Sequence, residues 1–183
     1  ALSLARRDPP QLQSLLITMG GVDKDNITGQ VLFGLHKAPL PSDLKISVVM
    51  GQHAPWLEQV HAQAILMPWQ TQVHVAVSNM AELMANSDLA IGAAGSTSWE
   101  RCCLGLPTIQ IVLAANQLAI AEALAHSGAT KTATPCNLSA VLEEVDLISS
   151  FGWLQDMSRA AAQITSGGGT SELAAYLIAF EYE

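Results

Sequence analysis

The 183-residue chain carries 8 Lys+Arg against 16 Asp+Glu, a formal net charge of −8, and this acidity argues against a general nucleic-acid binder or a binder of acidic membranes. Half of the residues are hydrophobic, 13% are charged and the mean hydropathy is +0.30, so the chain has the material for a core and is no disordered linker. The apolar runs Leu89 to Ala94 and Ile109 to Ala115 fall well short of the ~20 residues that cross a bilayer.

β-like runs alternate with helix-like ones, the pattern of an α/β fold in which helices cover both faces of a parallel sheet, in the manner of a Rossmann domain. Leu15 to Met19 is continuous and apolar, as a strand buried on both faces should be, and it runs into Gly20-Gly21. Asp25 or Asn26 caps the following helix, in which Val31, Leu32 and Leu35 recur at helical spacing until Pro39 and Pro41. Lys45 to Met50 is the second strand. Pro55 suits the first turn of a helix reaching about Leu66, and Gln72 to Val77 makes the third strand. Asn79 is expected to cap a short helix, Met80 to Asn86.

The strand Asp88 to Ile91 then enters Gly92-Ala93-Ala94-Gly95-Ser96-Thr97-Ser98 and another helix, which ends near Gly105 and Pro107. Thr108 to Val112 is the fifth strand, and Asn116-Gln117 opens a helix through Ser127. A sixth strand is expected near Thr130 to Ala133, with helices at about 138–148, 154–165 and 171–180 beyond it.

In an open parallel sheet, ligands bind beyond the carboxyl ends of the strands, and three loops there carry suitable chemistry. Gly20-Gly21 offers backbone amides to an anion without an intervening Cβ, although a tight turn would use the same pair. Asp23 and Asp25 would repel a phosphate and are expected to cap or to face water. Gly95-Ser96-Thr97 enters a helix whose free N–H groups favour negative charge, and Glu100 falls on the same helical face. A carboxylate does not bind phosphate, but it accepts two hydrogen bonds from a vicinal diol such as a ribose; equally, it could merely complement the helix dipole. Asn116 and Gln117 place uncharged amides at a third helix start, where a simple N-cap is the competing role. Together the loops suit a nucleoside diphosphate.

Neither a P-loop nor a Gly-x-Gly-x-x-Gly follows the first strand. The cations Arg6, Arg7, Lys24, Lys37, Lys45, Arg101, Lys131 and Arg159 are scattered, which leaves phosphate recognition mainly to backbone amides. His36, His53, His61, His74 and His126 form no triad or metal set, so no catalytic residue, metal or cofactor is expected in this chain. Cys102, Cys103 and Cys136 show neither disulfide nor zinc spacing; a reducing cytoplasm fits them, and Cys102 and Cys103 are expected to pack.

The stretch from Val77 to Pro107, which contains Gly92-Ala93-Ala94-Gly95-Ser96-Thr97-Ser98-Trp99-Glu100-Arg101-Cys102-Cys103, together with Asn116-Gln117 and the upstream Ile17 to Asp23, resembles one family. That family is the UDP-2,4-diacetamido-2,4,6-trideoxy-L-altropyranose hydrolases of pseudaminic acid synthesis. The same arrangement more distantly resembles the carboxyl-terminal domain of the peptidoglycan N-acetylglucosaminyltransferase, with its two-domain glycosyltransferase B fold. The resemblance implies that Glu100 holds the ribose, that Gly95, Ser96 and Thr97 meet the diphosphate, and that Asn116 and Gln117 lie near phosphate or sugar. Backbone groups around Val77, Ser78, Asn79 and Met80 would read the uracil edge, and UDP or a UDP-sugar would be the ligand. Ala94 stands where the family commonly has glycine, and Ser166 to Glu172 lacks its usual arginine.

The family's catalytic histidine lies in a Gly-x-Gly-His motif of an amino-terminal domain, and that motif is absent from this sequence. The resemblance therefore implies residues 1–13 as the remnant of an interdomain segment and 14–183 as the UDP-sugar-binding domain, partnered by a missing amino-terminal catalytic domain. Such a chain would bind without turning over. The donor-binding half of a UDP-sugar glycosyltransferase and a free-standing sugar-nucleotide-binding module are the alternative readings.

Overall fold

The computed structural model describes residues 2–6, 8–144 and 152–180. Six parallel strands, β1 (Ser14–Thr18), β2 (Lys45–Met50), β3 (Gln70–Val75), β4 (Leu89–Ala93), β5 (Thr108–Ile111) and β6 (Thr130–Ala133), form one sheet in the order β3-β2-β1-β4-β5-β6. This is the doubly wound, Rossmann-like arrangement read from the sequence. The helices are α1 (Leu2–Arg6), α2 (Ile27–Leu35), α3 (Leu57–Ile65), α4 (Met80–Ala85), α5 (Thr97–Cys103), α6 (Leu118–His126), α7 (Leu138–Glu144), α8 (Gly152–Ile164) and α9 (Gly169–Phe180).

The central strands are apolar throughout because both their faces are covered. Leu15 and Ile17 of β1, Ile46 and Val48 of β2, and Leu89 and Ile91 of β4 point into one core with Val31, Leu32 and Leu35 of α2 and Val60 of α3. The alternate residues Leu16, Val49 and Ala90 point to the opposite face and meet Met84 of α4 and Leu106. Period-two alternation thus divides one continuous apolar run between two cores. Behind α5, Cys102 joins Leu124 of α6 and Ala161 of α8 in a smaller cluster.

Several boundaries differ from the sequence-based expectation. β3 begins and ends two residues early, since Gln70 pairs with Lys45 and Val75 with Met50, and Ala76 then turns at φ 51 while donating its N–H to Met50 O at 3.0 Å. No glycine or proline marks that departure. Pro55 precedes α3, whose N-cap is Trp56. A 3-10 turn takes Ala115–Gln117, so α6 begins two residues after Asn116. α8 and α9 each start two residues earlier than expected, and the part of the expected 138–148 helix beyond Glu144 lies outside the described residues.

At the amino end of the sheet, Asp88 Oδ2 accepts from Gln13 N at 2.9 Å, Ser14 N at 2.9 Å and Ser14 Oγ at 3.0 Å, pinning the start of β1 to β4. α1 and the residues after it pack on the body: Ser3 Oγ donates to Leu104 O, and Gln155 Nε2 donates to Asp8 Oδ1 at 3.0 Å. The opposite end carries the loops. β1 and β4 are neighbours whose chains leave in opposite directions, to β2 and to β5, and this reversal opens a crevice beyond their carboxyl ends. No helix among the described residues is long and apolar enough to cross a membrane.

Candidate functional site

On the first side of the crevice, β1 runs through buried Met19 into exposed Gly20, at φ 93, and exposed Gly21. The N–H groups of these two glycines have no acceptor among the described residues. The turn approaches the end of β2 so closely that a Cβ on Gly51 would collide with Gly21 O, which makes Gly51 a requirement that the sequence analysis did not register. The following helix start is closed internally. Asp23, only 7% exposed, accepts from Ile27 N at 2.8 Å and Thr28 N at 2.9 Å, while Asn26 Oδ1 accepts from Gly29 N at 3.1 Å. Gln30 N reaches Asn26 O at 3.1 Å, so the first turn of α2 has no free donor left. Asp23 caps, as one of its two expected roles; Asn26, not Asp25, supplies the side-chain cap at the N-cap position.

The other side is built differently. β4 ends at Ala93, and Ala94 N still pairs with Ile111 O at 3.0 Å. Beyond it the N–H groups of Gly95, Ser96 and Thr97 have no acceptor among the described residues, and Ser96, the N-cap of α5, makes no side-chain capping bond. Three successive donors at a helix start are therefore available to an anion. Glu100 stands in the first turn of α5, exposed and without an ion-pair partner among the described residues. It borders an apolar groove of about 360 Å³ between α4 and α5, lined by Ala81, Met84, Trp99, Cys103 and Leu104. That groove does not include Gly20, Gly21, Asn116 or Gln117.

Gln117 is held in a defined orientation. Its Oε1 accepts from Leu113 N at 2.9 Å, which fixes the amide the other way round for Nε2, and a Cβ on Gly95 would lie 3.7 Å from that nitrogen. The structure thus joins the Asn-Gln and Gly-Ser-Thr loops. Asn116 is exposed on the 3-10 turn and caps nothing, contrary to its expected competing role. Of the third-strand loop, Val77 and Met80 pack half-buried against the core below α4, whereas Ser78 and Asn79 are exposed. Asn79 occupies the N-cap position but makes no capping bond. Its Nδ2 donates instead to Glu82 Oε2 at 3.1 Å, because its ψ of 38 is not the extended value of a capping residue.

The cation under this rim was missed as a site residue. Arg101, 1% exposed, donates from Nη2 to Ala93 O at 2.7 Å and Ser98 Oγ at 2.9 Å, and from Nη1 to Thr97 Oγ1 at 3.3 Å. No carboxylate lies within ion-pair distance of it among the described residues. Burial lowers the guanidinium to about 10, with the neighbouring Cys102 and Glu100 opposing, so it stays charged at neutral pH. Gly92 makes the room: a Cβ there would stand 2.6 Å from Nη1. The signal in the sequence was spacing, since residues 97, 98 and 101 share one helical face and Cys102 adjoins it. The adjacent Cys102 is 2% exposed, and burial raises its thiol, which suits packing; Cys103 is exposed. No cluster of three metal-ligating side chains occurs among the described residues.

Comparisons with known proteins agree with this architecture. The glycosyltransferase family 28 C-terminal domain matches residues 14–169. Among curated proteins, the chain is 30% identical over 132 residues to the spore coat polysaccharide biosynthesis protein SpsG of Bacillus subtilis, covering 70% of this chain and 39% of that protein. It is 31% identical over 117 residues to the uncharacterized protein MJ1062 of Methanocaldococcus jannaschii, covering 63% of this chain and 23% of that one. The chain therefore spans well under half the length of these curated relatives. Among solved structures, MurG of Acinetobacter baumannii superposes with a TM-score of 0.77 at 21% identity, over 95% of this chain and 52% of its own. Anabaena Alr3699/HepE, solved in complex with UDP-glucose, superposes with a TM-score of 0.66 at 13% identity, over 88% and 47%. With the fold, the loop geometry and the match over residues 14–169 in agreement, the chain belongs to the glycosyltransferase family 28 C-terminal domain family.

Proposed function

We propose that this chain is the nucleotide-sugar-binding half of a two-domain enzyme that uses a UDP-sugar. The observation that carries the reading is the β4–α5 junction: three amide donors without an acceptor among the described residues lie in the loop that Arg101 braces, and the carboxylate of Glu100, without an ion-pair partner among those residues, stands one turn on. Amides facing a diphosphate and an acid facing a diol are complementary to the two ends of a nucleoside diphosphate. Gly95, Ser96 and Thr97 would donate to the diphosphate, with Gln117 Nε2 beside them, and Glu100 would accept from the ribose hydroxyls. Gly20 and Gly21 would border the diphosphate from the β1 side, Asn116 the sugar, and the backbone of Val77, Ser78, Asn79 and Met80 the base. The UDP-glucose bound by the Anabaena neighbour supports the ligand class.

The chemistry assigned to this half is leaving-group stabilisation. As the sugar C1–O bond breaks, its electron pair stays on the terminal phosphate oxygen of UDP, and the donors around that oxygen strengthen as the charge grows. The nucleophile and the group that takes its proton would come from the remainder of the longer protein. With water as nucleophile the enzyme is a hydrolase that releases UDP and a free 2,4-diacetamido-2,4,6-trideoxyhexose, on the resemblance in Val77 to Pro107, Asn116-Gln117 and Ile17 to Asp23. The family 28 membership favours equally the second reading, in which a sugar or lipid hydroxyl attacks and the enzyme is a transferase.

Titration calorimetry of this chain with UDP, UMP and ADP tests the binding reading. UDP is expected to bind more tightly than either, and Glu100→Ala to weaken UDP by about tenfold through loss of two charge-assisted hydrogen bonds. Equal binding of UDP and ADP, or an unaltered affinity in the variant, overturns it. In the full-length protein, UDP release from the UDP-sugar without any acceptor selects the hydrolase, and strict dependence on an acceptor selects the transferase.

A further inference from the structure

The geometry points to Arg101 as a buried positioning residue that supplies the countercharge for the diphosphate without touching it, an inference that rests on the UDP-site reading. Its charge is anomalous as it stands. A side chain 1% exposed holds a guanidinium whose Nη groups reach one carbonyl and two hydroxyls, whose Nε has no hydrogen-bond partner, and which has no carboxylate within ion-pair distance among the described residues, Glu100 acting on it only from farther away. A buried cation lacking an anionic partner is costly, and a protein core would ordinarily dispense with it or pair it. Packing does not demand it either, since Gly92 has to give up its side chain to accommodate it.

The three acceptors say what the cation organises. Ala93 O closes β4, while Thr97 Oγ1 and Ser98 Oγ belong to the first turn of α5, so one rigid fork ties the strand end to the helix start across Ala94, Gly95 and Ser96. The loop that presents the free amides is thereby braced from below. The positive field acts through a water-poor interior onto whatever negative charge those amides receive. Both effects vanish for a ligand that lacks phosphate: a nucleoside can occupy the ribose and base positions without drawing on Arg101. The residue therefore sets preference for the charged part of the ligand.

The test measures UDP and uridine against the unsubstituted chain, Arg101→Met and Arg101→Lys. Arg101→Met is expected to weaken UDP by about tenfold or more and to leave uridine within about twofold, as loss of a charge-specific interaction requires. Arg101→Lys, which keeps the charge and loses the fork, is expected to recover part of the UDP affinity. Equal weakening of UDP and uridine in Arg101→Met makes the role merely structural and overturns the inference while leaving the UDP site standing. Failure of the unsubstituted chain to bind UDP removes that site and the inference with it.

A second measurement needs no folded variant. With arginine labelled at Nε, the buried Arg101 N–H is recognisable by slow exchange with solvent, and its resonance is expected to move on addition of UDP and to stay in place with uridine. A resonance that is indifferent to UDP overturns the proposal.

Discussion

The two helix starts that flank the crevice share a scaffold and differ in charge. At the β1–α2 junction, Asp23 and Asn26 consume the first amides of the helix, and the buried charge there is negative. At the β4–α5 junction the amides of Gly95, Ser96 and Thr97 have no acceptor among the described residues, and the buried charge is the Arg101 cation. A helix dipole alone would make both starts equally attractive to an anion. What separates them is whether the chain has already supplied an acid of its own. The rim is polarised accordingly, with a diphosphate expected to bind against α5 and only to graze the glycines at the end of β1.

The strongest way to break this contrast is Gly92→Val. A Cβ at that position would stand 2.6 Å from Arg101 Nη1 and 3.2 Å from Thr18 O, and both branches of valine add to the conflict. Overpacking of this kind is expected to cost about 2–3 kcal/mol in denaturant unfolding, and to remove UDP binding as the guanidinium shifts. An unaltered midpoint would mean that the strand end is not held as tightly as the fork implies. Gln117→Glu comes next. The new carboxylate keeps an acceptor for Leu113 N but replaces the donor facing Gly95 by a negative charge, which is expected to weaken UDP by about tenfold in calorimetry with little change in melting temperature.

Asp23→Asn sharpens the other rim. The amide keeps one acceptor and sets its NH2 against the other helix N–H, so one charge-assisted bond becomes neutral and the second is lost, and the cost is expected to be about 1–2 kcal/mol in stability. UDP affinity should hold or rise slightly, since a negative charge near the crevice has gone. A drop in UDP affinity as large as that of Gln117→Glu would mean that the β1 side carries the diphosphate after all.

The sheet was legible because its signal is redundant. Ile46, Val48 and Val49 cannot all be buried unless both faces of β2 are covered, and that condition by itself selects helices on either side. β2 and β6 kept their expected bounds, whereas the edge strand β3 slipped by two residues, since its half-exposed alternation fits more than one register and Ala76 turns without a breaker residue. Loop positions on the carboxyl rim follow from topology once the strands are set, which is why Gly95, Ser96, Thr97 and Gln117 converge. The buried cation was harder to see: an arginine in a short helix is normally solvated, and only the missing side chain of Gly92, remote by nine positions, makes space for it. Close approaches between elements, such as Gly51 against Gly21, are likewise properties of two loops at once and have no signature in either alone.

The smallest expected effect concerns Asn79. From sequence it is an N-cap, and loss of a working cap costs about 1 kcal/mol. In the structure its amide reaches the exposed Glu82 carboxylate at 3.1 Å and leaves the helix donors alone. An exposed hydrogen bond of this kind contributes little against water, so Asn79→Ala is expected to change unfolding free energy by less than about 0.5 kcal/mol. The same substitution leaves the backbone groups of Val77 to Met80 intact, and UDP affinity should stay within about twofold if the base is read by main-chain atoms. A full cap-sized loss of stability would restore the sequence expectation. A large loss of UDP affinity at unchanged stability would instead assign the Asn79 side chain to the ligand, and would extend the binding surface from α5 across the groove to α4.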